Sequence, residues 1–263
     1  MNVITKEYGL VGHPLGHSFS HDYFEEKFRR EGINATYLNL DLDSASDFPS
    51  LLRETIETHP DLIGFNVTIP YKEKILECLD SVDAQAGNIG AVNVVRITRD
   101  AHGRCTSLAG YNTDITGFTE SLRPFVGRQH RKALILGTGG AAKAVRHGLL
   151  SLGIEATFVS RFPSEWQLSY AQLTAETISD HLVIVNATPL GMYPKTESAP
   201  DIPYENLSPN HICFDLVYNP AKTRFMELAE QRGATVINGL EMLHIQADEA
   251  WKIWNRQNTI IKP

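Results

Sequence analysis

The sequence has few cysteines and no long apolar or basic run, and these absences exclude several classes of protein. Its 263 residues contain three widely spaced cysteines without a C-x-x-C pair, so we expect no disulfide framework and a cytoplasmic location. No apolar stretch is long enough to span a membrane, and the N-terminal residues lack the pattern of a signal peptide. The net charge is −7 and no basic run exceeds Arg29-Arg30, so we expect no nucleic-acid partner.

Strand and helix patterns alternate along the whole chain, which predicts an α/β protein. In the first half, three strand–helix pairs precede two strands around the turn "RDAHGR" (99–104), so a mixed sheet is expected. Helices are predicted over 18–32 and 44–57, the second with Ser44 as a possible N-cap, and a short helix over 71–79.

The second half predicts a Rossmann-type, doubly wound dinucleotide-binding domain, because parallel-type strands and helices recur at the spacing of that fold. We assign residues 114–239 to this domain. Residues 1–113, together with the last amphipathic helix in 240–263, form the predicted substrate-binding domain. The polar segment 122–132 is interpreted as a domain junction or a surface connection.

A glycine-rich turn follows the strand "ALIL" and precedes a predicted helix, in the pattern G-x-G-x-x-A. The first glycine permits the tight turn, the second lets the backbone approach a pyrophosphate, and the alanine allows close helix–strand packing. The helix N-terminus attracts the anion. The predicted cofactor-binding residues of this turn are Gly137, Gly139, Gly140, Ala141 and Ala142.

The end of the next strand indicates NADP rather than NAD. An NAD site normally has an acidic residue there for the ribose hydroxyls, whereas this chain has Ser160-Arg161. The Arg161 guanidinium suits a 2′-phosphate. Glu165 lies four residues further on and could weaken such a site by repulsion.

Polar side chains also follow the predicted strands of the first half. They are Ser18, Ser20, Asn66, Thr68, Asn93 and Asp114, with Lys72 in "NVTIPYK". Ligands of open α/β sheets gather at the carboxyl ends of strands. The small hydrogen-bonding groups suit a substrate rich in hydroxyls, and the lysine suits a carbonyl or hydroxyl that exchanges a proton.

The chain resembles the shikimate dehydrogenases along nearly its whole length. The matching stretches are "HSFS", "NVTIPYK", "GAVN", "GYNTD", "GTGGAA", "NATPLGM", "DLVYNP" and "NGLEMLHIQA". The resemblance implies an enzyme that uses NADPH to reduce 3-dehydroshikimate reversibly to shikimate, on the chorismate route to the aromatic amino acids. It also implies a soluble enzyme with a small-molecule substrate, as a monomer or homodimer.

The resemblance also assigns roles to individual residues. Lys72 is implied as the catalytic acid/base, with Asp114 as its catalytic partner. The residues implied for substrate binding are Ser18 and Ser20 for the carboxylate, Asn93 and Asp114 for the ring hydroxyls, and Asn66, Thr68, Tyr218 and Gln246. Further residues implied for the cofactor are Thr188, Leu216 and Gly239. Asn66 has a second interpretation, as a residue that satisfies backbone groups.

One departure from the family and several alternatives stay open. After the second strand of the cofactor domain, members of the family usually have Asn-Arg-Thr followed by a further basic residue, whereas this chain has Ser160-Arg161-Phe162. The sequence therefore leaves the strength of the preference for NADP over NAD open. The alternatives are a quinate/shikimate dehydrogenase that uses NAD, a non-catalytic cofactor sensor, and a methylene-tetrahydrofolate-type dehydrogenase.

No metal site is expected, because Pro14 and Gly16 break the helix that would align His13, His17 and His21.

Overall fold

The computed structural model describes residues 5–16, 19–43 and 47–256. The chain divides into two compact units, one formed by residues up to Thr113 together with residues from Ala247 onward, and the other by Asp114–Gln246.

The first unit contains a mixed six-stranded sheet. Its elements are β1 (Lys6–Gly12), α1 (Phe19–Glu31), β2 (Ala35–Asp41), α2 (Phe48–Thr58), β3 (Leu62–Val67), β4 (Ser81–Val82), α3 (Ala84–Ile89), β5 (Val94–Arg99) and β6 (Cys105–Tyr111), with a 3-10 helix at Lys74–Cys78. The strand order is β2-β1-β3-β5-β6-β4. Strand β1 pairs in parallel with β2 and β3, whereas β5 pairs antiparallel with β3 and β6. The predicted mixed sheet and hairpin are confirmed.

The second unit contains a fully parallel six-stranded sheet. Its elements are α4 (Asp114–Leu122), β7 (Lys132–Leu136), α5 (Gly140–Ser151), β8 (Glu155–Ser160), β9 (Leu168–Ser169), α6 (Ala175–Asp180), β10 (Val183–Asn186), β11 (Ile212–Asp215), α7 (Arg224–Glu230), β12 (Thr235–Ile237) and α8 (Leu240–Trp254), with 3-10 helices at Arg123–Phe125, Tyr170–Gln172 and Tyr204–Asn206. The order β9-β8-β7-β10-β11-β12 is that of the Rossmann fold. The predicted doubly wound fold is confirmed, with its topological switch point between β7 and β10.

Both sheets are covered on two faces, as a parallel sheet with crossover helices requires. In β7, Ala133 and Ile135 belong to one buried cluster, while Leu134 and Leu136 belong to the cluster on the opposite face. Successive side chains of a strand point to opposite faces, so the continuous apolar run "ALIL" is what a strand buried on both sides needs.

Helix α8 is divided between the two units. Met242 packs in the core of the second unit, whereas Ala247, Ala250 and Trp254 pack in a core of the first unit. The Trp254 indole donates to the Val95 carbonyl at 3.0 Å. The predicted substrate domain included the whole of this helix, but the contacts assign residues 240–246 to the second unit.

The bounds of two predicted helices differ from the structure. Helix α2 begins at Phe48 with Asp47 as its N-cap residue, and Ser44 lies outside the described residues. The short helix predicted over 71–79 is a 3-10 helix at Lys74–Cys78. Helix α3 has Asp83 as its N-cap, which accepts a hydrogen bond from the Gln85 amide at 2.9 Å.

Candidate active site

Backbone hydrogen bonds bring the predicted substrate residues of the first unit to one edge of its sheet. The Thr68 amide donates to the Val11 carbonyl at 2.9 Å, which ties the end of β3 to the end of β1. The Val67 amide donates to the Asn93 carbonyl at 2.8 Å, and the Asn93 amide donates to the Tyr111 carbonyl at 3.0 Å. The polar groups that follow β3, precede β5 and follow β6 are therefore neighbours.

The backbone of Lys72 is held on two sides. Its carbonyl accepts from the Val92 amide at 2.7 Å, next to Asn93. The preceding Tyr71 is buried, stacks on Phe48 with ring centroids 4.1 Å apart, and donates its hydroxyl to the Leu42 carbonyl. The Lys72 side chain, itself half-buried, therefore starts from a fixed backbone beside Asn93. This arrangement suits an amine that must meet a substrate in one geometry.

Asn93 is buried and its amide is oriented by Thr113. Its Oδ1 accepts from the Thr113 amide at 2.7 Å, and its Nδ2 donates to Thr113 Oγ1 at 3.0 Å. Because the two ends of the side-chain amide have different partners, its orientation is fixed.

Asn66 is hydrogen-bonded to one backbone group and one side chain of its own unit, and its substrate role stays a prediction. Its Nδ2 donates to the Asn93 carbonyl at 3.2 Å, and its Oδ1 accepts from the Tyr37 hydroxyl at 2.7 Å. The side chain of Ser20 is hydrogen-bonded to the same Tyr37. The other predicted carboxylate ligand, Ser18, lies outside the described residues.

Three further predicted residues belong to the second unit. Asp114 is buried in the first turn of α4, where the helix dipole favours an acidic side chain. Gln246 is buried in α8 and donates its Nε2 to the Leu243 carbonyl at 3.0 Å. Tyr218 is half-buried after β11. The substrate roles of these residues and the pairing of Asp114 with Lys72 stay predictions.

The glycine-rich turn has a backbone suited to a pyrophosphate. Gly137 has φ +110°, a conformation that L side chains rarely adopt, and a Cβ there would lie 3.1 Å from the Ala187 carbonyl oxygen. A Cβ on Gly139 would meet no heavy atom within 4 Å, so the space in front of the turn is open. Gly139 is the N-cap of α5 and makes no side-chain cap, so the helix start can receive an anion.

The other predicted cofactor residues lie at the same edge of the parallel sheet. A Cβ on Gly137 would be 3.2 Å from Thr188 Cγ2, so the turn after β7 lies beside the end of β10. Leu216 donates its amide to the Asn186 carbonyl at 3.0 Å, and Gly239 lies against the Leu216 carbonyl. The ends of β7, β10, β11 and β12 thus form one continuous row at the switch point, where such folds bind dinucleotides.

A buried carboxyl group holds this row in place and was missed by the sequence reasoning. Asp215 Oδ1 accepts from Asn186 Nδ2 at 3.0 Å and from the Val217 amide at 2.9 Å, while Oδ2 accepts from the Thr223 hydroxyl at 2.5 Å. Asn186 Oδ1 in turn accepts from the Thr188 hydroxyl at 2.6 Å. Burial raises the pKa of Asp215 to about 6 despite these donors.

Arg161 is exposed after β8, and Ser160 shapes the turn that follows it. The Ser160 hydroxyl accepts from the Phe162 amide at 3.1 Å. Burial raises the pKa of the nearby Tyr170 hydroxyl, and the positive charge of Arg161 partly offsets this rise. The last residue of β8 is Ser160, so the strand itself ends without an acidic residue.

Known proteins resemble the chain over almost its entire length. The profile described as the shikimate dehydrogenase substrate binding domain matches residues 10–95. The shikimate dehydrogenase (NADP(+)) of Methanopyrus kandleri is 33% identical over 98% of this chain and 93% of its own. The chain belongs to the shikimate dehydrogenase family.

Solved structures give the same result. The structure of shikimate 5-dehydrogenase from Thermus thermophilus with NADP(H) and shikimate has a TM-score of 0.80 at 31% identity, over 95% of this chain and 93% of that one. Quinate dehydrogenase from Corynebacterium glutamicum with NAD has a TM-score of 0.81 at 26% identity, over 95% of this chain and 94% of that one. The resemblance drawn from the motifs is therefore confirmed.

None of the helices in residues 5–16, 19–43 and 47–256 combines the length and the apolar character that crossing a membrane requires.

Proposed function

We propose that this protein is an NADP-dependent oxidoreductase that reversibly reduces 3-dehydroshikimate to shikimate. The observation that carries the proposal is the convergence of Lys72, Asn66, Thr68 and Asn93 at one sheet edge, in the domain that matches the family's substrate-binding profile. The relatives named shikimate dehydrogenase (NADP(+)) and the neighbour bound to NADP(H) and shikimate support it.

The cofactor residues present fit NADP. The open turn at Gly139 and the uncapped start of α5 would hold the pyrophosphate, and the row of Thr188, Leu216 and Gly239 would border the nicotinamide. Arg161 would contact the 2′-phosphate. When bound, NADPH supplies the hydride.

The residues of the chain supply the proton and the orientation. Lys72 Nζ gives a proton to the carbonyl oxygen as it becomes a hydroxyl, and takes it back in the reverse reaction. Asp114 hydrogen-bonds to the reacting end of the ring and orients Lys72, while Asn93 and Thr68 hold ring hydroxyls. Ser18 donates to the carboxylate, and Ser20 does so when its hydroxyl turns from Tyr37. Tyr218 and Gln246 bind the substrate, as the resemblance to the family implies.

The test compares two neighbouring lysines. Lys72→Ala should lower kcat for shikimate oxidation by about 10²- to 10⁴-fold, the usual value of general acid–base catalysis, with a much smaller change in KM. Lys74→Ala is the matched control, because Lys74 is an exposed lysine two residues further on, and it should keep wild-type kinetics. A loss below about tenfold for Lys72→Ala would refute the acid/base role.

The second candidate is a quinate/shikimate dehydrogenase that uses NAD. It is favoured by the missing basic companions of Arg161 and by the likeness to the quinate dehydrogenase bound to NAD. Rates with shikimate and quinate, each with NADP and NAD, separate the two functions. We expect shikimate with NADP to give the highest kcat/KM.

A further inference from the structure

Tyr37 is a fully buried tyrosine whose hydroxyl lies between two predicted substrate ligands. It is in β2, whereas Ser20 is in α1 and Asn66 is in β3. The sheet order places β1 between β2 and β3, so the side chain of Tyr37 reaches past a whole strand to meet Asn66. No sequence motif that identifies the family includes this residue.

The hydroxyl of Tyr37 has a defined role as donor and as acceptor. It donates its single proton to Asn66 Oδ1 at 2.7 Å, and it is hydrogen-bonded to the side chain of Ser20, which leaves Ser20 as the donor. Desolvation raises the pKa of Tyr37 well above its ordinary value. The hydroxyl therefore keeps its proton and stays a donor to Asn66 throughout the pH range of an enzyme assay.

The Asn93 carbonyl and the Tyr37 hydroxyl together decide how Asn66 is oriented, because the carbonyl can only accept. With Oδ1 facing Tyr37, the amide NH2 of Asn66 faces the Asn93 carbonyl at 3.2 Å. That carbonyl also accepts from the Val67 amide, and the Asn93 side chain continues to Thr113. One hydrogen-bonded series thus joins Ser20 to Asn93 through Tyr37 and Asn66.

The rest of Tyr37 is held independently of its hydroxyl. Its ring stacks on Phe24 with centroids 4.7 Å apart and an interplanar angle of 11°. Its backbone amide donates to Glu25 Oε1 at 2.6 Å. Because Phe24 and Glu25 belong to α1, the helix that carries Ser20 is fixed to β2 beside this tyrosine.

We propose that Tyr37 is a positioning residue of the substrate pocket, whose hydroxyl occupies the oxygen of Asn66 and holds this amide with its NH2 group toward Asn93 and the substrate ring. This inference rests on the proposed function, because it takes Asn66 as a substrate ligand. Tyr37 does not touch the substrate. It acts through Asn66.

The Tyr37→Phe variant removes one oxygen atom and keeps the stacked ring. Loss of a buried hydrogen bond that leaves its partners unsatisfied should raise the KM for shikimate about five- to thirtyfold. The KM for NADP should stay within about twofold, because the partners of Tyr37 named above, Ser20, Phe24, Glu25 and Asn66, belong to the first unit. The effect on kcat should be smaller than the effect on KM.

Tyr8→Phe is a matched control. Tyr8 is the register partner of Tyr37 in the neighbouring strand, is equally buried, and lies in the same aromatic cluster. Its hydroxyl bonds to Asn255 at 3.2 Å instead of to a predicted ligand. A merely structural role for Tyr37 predicts similar losses of Tm and unchanged shikimate KM for both variants, and that result would overturn the proposal.

A double-mutant cycle tests whether Tyr37 acts through its partner. In an Asn66→Ala background, Tyr37→Phe should raise the shikimate KM clearly less than it does in the wild type, because the side chain through which Tyr37 acts is already lost. Fully additive effects would contradict the inference.

A crystal structure of Tyr37→Phe without substrate separates this inference from the proposed function. The Asn66 side chain should move from its position between Tyr37 and the Asn93 carbonyl, and an unchanged position would overturn the positioning role whatever the substrate is. Failure of the wild type to oxidise shikimate would instead refute the proposed function.

Discussion

The buried Asp215 makes the stability of the protein depend on pH in an unusual direction. Its side chain is fully buried, and its pKa is raised from 3.8 to about 6, chiefly by desolvation. Between these two values the folded state binds more protons than the unfolded state. The contribution of Asp215 to the free energy of unfolding therefore decreases as the pH rises from about 4 to about 6, and is constant above that.

The magnitude follows from the difference between the two pKa values. One pKa unit corresponds to 1.36 kcal/mol, so raising the pKa from 3.8 to about 6 amounts to about 3 kcal/mol over the complete titration. Replacing the carboxyl by an amide in Asp215→Asn removes this dependence. Thr223 can adapt, because its hydroxyl accepts as well as donates. Part of the change lies below pH 4, so the stability of the wild type relative to the variant should fall by about 2 kcal/mol between pH 4 and pH 7.

The measurement is urea unfolding of both proteins, followed by circular dichroism at one salt concentration from pH 4 to pH 7. Asp180→Asn is the control, because the exposed Asp180 is 2.6 Å from Lys132 and that hydrogen bond lowers its pKa. Its contribution to stability is lost as the pH falls, so the difference for this control should stay level or rise with pH. A constant difference between wild type and Asp215→Asn across the range would refute the reasoning.

Two further predictions concern the cofactor and the core. Arg161→Ala should weaken the binding of NADP by about one to two decades and leave the binding of NAD nearly unchanged, since each charge-assisted hydrogen bond contributes roughly 1.5–3 kcal/mol. Glu165→Gln should leave NADP binding equal or tighter. Equal weakening of both cofactors by Arg161→Ala would show that Arg161 does not contact the 2′-phosphate. Gly64→Ala should lower Tm strongly, because its Cβ would lie 2.5 Å from both Trp254 Cδ1 and the Val95 carbonyl oxygen, whereas in the control Gly87→Ala the nearest atom is 4.0 Å away. Equal Tm values for the two glycine variants would contradict this packing argument.

The cofactor fold was predictable from the sequence because its signals are local. The strand "ALIL", the turn at Gly137 and the helix after Gly139 lie within one short segment, and each residue type has its own backbone requirement there. The hydrogen-bonded hairpin of β5 and β6 is local for the same reason. Where the signal was weaker, as at residues 71–79, the helix is shorter than predicted.

The partners of Asn66 and Asn186 could not be predicted from the sequence. Tyr37 and Asn66 are separated by β1 in the sheet, and Asn186 and Asp215 meet only because the register of β10 and β11 places them side by side. Nothing in "ATYLNLDL" distinguishes Tyr37 from an ordinary core tyrosine. Sheet order and register decide these contacts, and both depend on the packing of the whole domain.

The two units solve the same physical problem in similar ways. Each places a buried asparagine at or next to the end of a central strand. An amide has two nearly equivalent orientations unless its neighbours distinguish oxygen from nitrogen. In the first unit, the Asn93 carbonyl accepts from Asn66 Nδ2 while the Tyr37 hydroxyl donates to Oδ1. In the second unit, the Asp215 carboxyl group accepts from Asn186 Nδ2 while the Thr188 amide donates to Oδ1. An acceptor on the nitrogen side of each amide and a donor on its oxygen side therefore fix one orientation at each strand end.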